Sequence, residues 1–225
     1  MRKWFVFIVF LVLNTSVFSQ KKYDVVLPLD YHKELSYPLF IVFHGGNGNM
    51  KNMKTWWTSS ILSKSFIVAY FEASTLDRAP NRWGWRNLAK ERNNVKQYYS
   101  EIIQTYNVNL NEVYVGGFSL GGKMSVDLAL NQAIPIKGFI SLNHGGGTTE
   151  FFTTKNIIRA KENRLKAVLL SGEKDYRYKK ESLKIKNRFE ELRLDHKFFE
   201  IKNLGHTSPK YFSKLLDNYI DFLRN

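Results

Sequence analysis

Apolar runs of strand length alternate with helical segments along this chain, and polar clusters fall where the strands end. That order predicts an α/β fold: a mostly parallel central sheet with helices on both faces. Three observations carry it. Runs rich in Val, Ile and Phe recur from residue 24 to residue 201. Between them, apolar positions such as Val95, Tyr98/Tyr99, Ile102/Ile103 and Tyr106 keep one face of a helix. Finally, the run Val113 to Val115 leads through Gly117-Phe118-Ser119-Leu120-Gly121 straight into a helical stretch, about Gly122 to Asn131.

Taken in order, Asp24 to Leu29 and Leu39 to Phe43 read as two strands joined by a polar turn with Pro38. The second runs into His44-Gly45-Gly46-Asn47. Met50 to Leu62 reads as a helix and Phe66 to Phe71 as a strand. Arg78 to Asn87, whose Trp83 and Trp85 keep neither period, reads as a loop, and Glu91 to Tyr106 as a helix. A strand at Gly138 to Leu142 ends in Asn143-His144-Gly145-Gly146-Gly147. Another, Ala167 to Leu170, ends in Ser171-Gly172-Glu173-Lys174-Asp175. A helix over Lys179 to Leu192 turns Leu183, Phe189 and Leu192 inward. The last strand, Lys197 to Ile201, ends in Asn203-Leu204-Gly205-His206, and Ser208-Pro209 reads as the N-cap and first turn of a final helix. About two dozen residues lie between Leu142 and Ala167. They leave room for one short helix and a minimal lid or none.

Residues 1–19 stand apart. Arg2 and Lys3 precede ten apolar residues, Trp4 to Leu13, and a short polar tail in which Val17 and Ser19 fit a cleavage pattern before Gln20. Ten apolar residues are too few to span a bilayer. The expectation is a signal peptide over 1–19, a single domain over 20–225, secreted or periplasmic, with no stable membrane anchor. The chain holds no cysteine, which excludes disulfides, thiolate metal sites and a cysteine nucleophile. The formal net charge is +14, which favours anionic partners such as an acidic glycan. No nucleic-acid-binding motif accompanies it. The densest basic cluster (Lys174, Arg177, Lys179, Lys180, Lys184, Lys186, Arg188) follows one helix and reads as a solvated face. No His-x-x-x-His or carboxylate cluster has metal-ligand spacing, so neither metal nor cofactor is expected.

The chemistry gathers on the strand ends. Gly117-x-Ser119-x-Gly121 between strand and helix is a nucleophile elbow: a serine at so sharp a turn needs neighbours without side chains two positions away. Ser119, Asp175 and His206 then follow in the order nucleophile, acid, histidine. With Gly172-x-x-Asp175, Gly205-His206 and His44-Gly45-Gly46, the chain resembles the α/β-hydrolase superfamily over nearly its whole length from residue 20. It looks most like small secreted esterases of the polyhydroxybutyrate depolymerase/feruloyl esterase and carboxylesterase groups. The resemblance implies an α/β-hydrolase fold, with Ser119 as nucleophile, His206 as general base and Asp175 as its orienting acid. It also implies an oxyanion hole made by the backbone N–H groups of Leu120 and Gly46.

Each role has a rival. Glu173 competes with Asp175. His44 precedes the serine and reads as an organiser of the glycine loop. His144 heads a glycine string but lies at a strand end after the nucleophile, so it reads as pocket wall or turn. His32 and His196 have polar surroundings. Trp83, Trp85 and Tyr176, with His144, are the candidates for contact with substrate, and Phe151 is a further aromatic that could stack there. The leading function is a secreted serine carboxylic-ester hydrolase acting on acylated polysaccharide or small soluble esters. A serine peptidase on the same fold and a non-catalytic binding protein on a hydrolase scaffold stay open.

Overall fold

A computed structural model describes residues 22–77 and 82–225. The expected signal peptide, and part of the loop that begins at Arg78, lie outside the described residues. The sheet has seven strands: β1 (Tyr23–Val26), β2 (Tyr37–Phe43), β3 (Ile67–Phe71), β4 (Val108–Phe118), β5 (Gly138–Leu142), β6 (Lys166–Gly172) and β7 (His196–Ile201). Their order is β1-β3-β2-β4-β5-β6-β7. All neighbours are parallel except β1, which pairs antiparallel with β3 (Tyr23 opposite Phe71) and not with β2, its neighbour in sequence.

Among the described residues, seven helices accompany this sheet: α1 (Met50–Met53), α2 (Ser60–Ser65), α3 (Leu88–Thr105), α4 (Leu120–Asn131), α5 (Thr154–Glu162), α6 (Lys179–Leu192) and α7 (Phe212–Arg224). Because strand side chains alternate, each strand feeds two cores. Leu39, Ile41, Val113, Val115, Phe139, Ala167 and Leu169 pack with Val95, Met124, Ile157, Ile185 and Phe189 of α3 to α6. Phe40, Val42, Tyr114, Ile140 and Val168 pack on the other face with Trp57, Leu62 and the α7 residues Leu216 and Leu223. The near-continuous apolar runs of the sequence follow from burial on both faces.

Three details differ from the sequence reading. The helix expected over Met50 to Leu62 is two short helices. The consecutive side chains of Trp56 and Trp57 both pack on Phe212, at 6.2 and 4.9 Å between ring centroids, in the stretch after α1 has ended at Met53. Ser59 then restarts the chain as N-cap, its hydroxyl accepting the Leu62 N–H. The final helix begins at Phe212, and the Ser208 hydroxyl bonds Pro209 O instead of capping it. On α6 the buried residues are Ser182, Ile185 and Phe189, whereas Leu183 lines a surface groove.

Register brings the site together. Phe43 lies opposite Gly117, Phe118 opposite Leu142, and Leu142 opposite Leu170. His44, Ser119 and Asn143 therefore leave the sheet along one rim, beside the last residues of β6. Above it, the segment between β5 and α5 is tied down by Arg92, which bonds buried Asp127 at 3.0 and 3.1 Å and Glu150 at 2.7 Å. Helix α5 packs beside α4 and α6, not over the rim.

Candidate active site

The elbow is strained and sterically closed. Ser119 has φ 56° and ψ −118°, a conformation that side-chain-bearing residues rarely adopt. A Cβ on Gly117 would lie 2.4 Å from the Gly121 carbonyl carbon, and one on Gly121 would lie 2.1 Å from the Phe43 carbonyl oxygen. Three main-chain bonds hold the turn: Ser119 N–H to Leu142 O, and Gly145 and Lys123 N–H to Ser119 O.

His206 Nε2 lies 2.8 Å from Ser119 Oγ, and its Nδ1 lies 2.6 Å from Asp175 Oδ2. Asp175 is buried in the loop after β6, while the imidazole is 30% exposed. The ring sits between Phe118 and Tyr178, 5.0 and 4.7 Å away. Glu173, the rival acid, instead accepts the Asn203 N–H at 2.7 Å. The three residues thus form one relay, hydroxyl to imidazole to carboxylate, with both ring nitrogens engaged.

The glycine loop is oriented by His44. Its Nδ1 lies 2.6 Å from Gly45 O, while its Nε2 accepts the Ala73 N–H at 3.1 Å. One nitrogen must donate and the other accept, so the ring is neutral, and burial pushes its pKa down to about 4. The Gly48 N–H also bonds Gly45 O. In a trans peptide the next N–H points opposite to that carbonyl, which turns the Gly46 N–H away from this network. Gly46, Ser119 and Leu120 all line one cleft. Leu120, the first residue of α4, offers an N–H with no partner inside the helix.

Sequence reasoning missed Asn143. Fully buried at φ 46°, it donates from Nδ2 to Gly205 O (3.2 Å) and Thr207 O (2.8 Å) and accepts the Gly172 N–H at Oδ1 (2.7 Å). One amide fastens the start of the acid loop to both sides of His206. An Asn at a strand end, tolerant of left-handed backbone, is the signal that could have pointed to it. Gly145 was missed as well: a Cβ there would lie 2.7 Å from Ser119 Oγ and 2.6 Å from Leu120 N.

The cleft holds about 540 Å³ and is polar, with Asn47, Asp77, Arg86, Gly146, Arg177, Tyr178 and His206 also on its walls. A larger hollow of about 740 Å³ around Leu110, Ile134 and Lys137 lies where β4 and β5 begin, away from these groups. The four expected substrate contacts are not cleft residues. Trp85 is buried against Phe43 and donates to His44 O at 2.7 Å, a structural role. His144 is buried as well, and desolvation with nearby Lys123 pushes its pKa to about 3. Trp83 pairs with Gly48 and Leu76 under Lys22. Tyr176 is 83% exposed and does not line the cleft.

No protein-family model and no curated protein matches the sequence. Solved structures do. An uncharacterised protein from Bacillus cereus superposes with TM-score 0.74 at 20% identity, over 86% of this chain and 61% of that one. The chain therefore spans less than two thirds of that neighbour's length. A carboxylesterase from Bacillus cereus gives TM-score 0.66 at 15% identity, over 91% of this chain and 95% of that one. The chain has the α/β-hydrolase fold. SOBER1 of Arabidopsis thaliana shares it, at TM-score 0.66 and 16% identity, over 84% of this chain and all of that one. Among the described residues of this α/β-hydrolase fold, no group of three His, Asp or Glu is arranged to hold a metal.

Two outcomes are expected. Asn143→Ala leaves one N–H and two carbonyls without their partner and should cost about 3 kcal/mol in urea unfolding; a loss under about 0.5 kcal/mol would mean that the loops hold themselves. The buried histidines set the acid limit of stability. His44 and His144 are pushed to about 4 and about 3 from 6.5, so both contributions are complete above pH 6.5 and fade as pH falls. Below it the unfolded chain binds up to two more protons, a slope approaching about 2.7 kcal/mol per pH unit near pH 5. Glu72 and Asp127, raised by burial, act in the opposite sense above their ordinary carboxylate range and offset part of this slope. Unfolding free energies from pH 7 to pH 5 measure the slope, and a flat profile would refute it.

Proposed function

We propose that this chain is a serine carboxylic-ester hydrolase. The observation that carries the reading is the relay itself: Nε2 of His206 at 2.8 Å from Ser119 Oγ with Nδ1 at 2.6 Å from Asp175. A serine hydroxyl is a weak nucleophile at neutral pH. Here Oγ attacks the ester carbonyl as His206 Nε2 takes its proton. Asp175 holds Nδ1–H and stabilises the imidazolium. The tetrahedral oxyanion is received by the N–H groups of Leu120 and Gly46. His206 then protonates the leaving alcohol, and a water activated by the same nitrogen cleaves the acyl-enzyme and restores Ser119. Asn143 and His44 act as positioning residues for the imidazole and the oxyanion loop.

The open, polar cleft and the absence of a capping helix among the described residues favour soluble or polymeric esters over lipid droplets. Small soluble esters and acylated polysaccharide are the proposed substrate range, with an anionic glycan as the polymeric partner. Secretion or periplasmic export is part of the proposal and rests on residues 1–19 alone. The deciding experiment compares 4-nitrophenyl esters of increasing acyl length with amide counterparts, for the parent and Ser119→Ala. Ester turnover should fall by about a million-fold in kcat, to background, with amides cleaved far more slowly than esters. Equal rates in parent and variant would sink the serine mechanism, and faster amide cleavage would make it a peptidase.

A further inference from the structure

The cleft has one carboxylate on its wall, and that charge is already matched. Asp77 Oδ1 takes Nε and Nη2 of Arg86 at 3.0 and 2.7 Å, and Oδ2 takes the Asn47 N–H at 2.8 Å. Arg177 faces the same cleft and pairs with no acid among the described residues. Its guanidinium lies 5.1 Å from the Tyr178 ring, which itself lies 4.7 Å from His206. The cation is therefore held two ring contacts from the relay. Gly146 lines the same cleft, and a Cβ there would lie 4.0 Å from Lys123 Nζ, another cation with no acidic partner within ion-pair distance.

The same asymmetry continues along α6. Lys179 pairs with Glu200, Lys186 with Glu190 and Arg188 with Glu191. Lys180 and Lys184 have no such partner, and both line the groove that Thr148 and Phe152 border beyond Gly146. The paired Arg188 and its acid Glu191 line that groove as well, so the unmatched cation on the wall of the Ser119 cleft itself is Arg177.

We infer that the ester taken by this site carries a carboxylate near the scissile bond, and that Arg177 is the residue that selects it. The inference rests on the ester-hydrolase reading and adds the substrate class. A planar guanidinium accepts a carboxylate through two parallel N–H bonds, and a cleft without a free acid lowers no part of that attraction by repulsion. The carboxylate can belong to a dicarboxylic acyl group or to a uronic acid of an acylated polymer.

Two matched pairs separate these sources: mono-4-nitrophenyl adipate against 4-nitrophenyl hexanoate, and acetylated polyuronate against acetylated neutral xylan. For each pair the readout is the ratio of kcat/KM values in the parent, Arg177→Ala and Arg177→Lys. The parent should favour the anionic member. Arg177→Ala should cut that preference by about tenfold or more, mainly through KM, with Arg177→Lys intermediate and added salt eroding the parent's ratio. Loss of preference on either pair supports the inference and names the source. A ratio that Arg177→Ala leaves unmoved on both pairs, or a parent that favours the neutral members, overturns it while the hydrolase reading stands. If the parent turns over none of the four esters, both readings fall together.

Discussion

The site depends on how closely α4 approaches the ends of β2 and β4. At Gly121 the distance left to the Phe43 carbonyl admits no side chain, and Gly117 is closed by Gly121 in turn. That approach bends the chain so sharply that Ser119 occupies a backbone region costing on the order of 1–3 kcal/mol. It also brings the loop after β2 against the start of α4. The glycine loop and the nucleophile therefore share a rim because one packing contact fixes both. Three main-chain bonds around Ser119 offset the strain, and one of them comes from Gly145, whose own missing side chain keeps the space beside Oγ open.

Loops at strand ends have left the sheet ladder and need other partners for their polar groups. In this protein side chains supply them, among them two buried polar groups at the relay and the glycine loop. Asn143 takes one N–H and gives two N–H bonds, joining loops after three different strands. His44 is held neutral by the demand that one nitrogen donate and the other accept. Both groups are buried, so their bonds are little screened, and geometry is set before any substrate arrives. Asn143 thus preorganises the loops that carry the relay, and His44 the glycine loop beside it.

Much of this was legible in the sequence because the determining constraints are local. The elbow is a five-residue steric pattern, and buried parallel strands announce themselves as apolar runs; the order of Ser119, Asp175 and His206 follows from where those runs end. What was not legible depends on partners distant in the chain. Asn143 acts on Gly172, Gly205 and Thr207, and nothing next to it in sequence reveals that. Trp85 looked available for substrate because its segment has no period, yet it packs on Phe43 and bonds His44 O. The break between α1 and α2 packs on Phe212, more than 150 residues downstream of Trp56, and β1 pairs with β3, not with its neighbour in sequence.

Charge gives the sharpest contrast between composition and structure. A formal charge of +14 describes the chain's attraction to anions in bulk and says nothing of orientation. Orientation depends on which cations are left after Glu190, Glu191 and Glu200 have taken theirs, and that selection requires the fold. The cleft is open to water, so contacts alone orient a flexible ester weakly, whereas a charge acts over a Debye length of about 8 Å at physiological salt. Cations beside an open nucleophile can therefore turn an anionic ester before it docks, a task that a hydrophobic cap would perform for an apolar one.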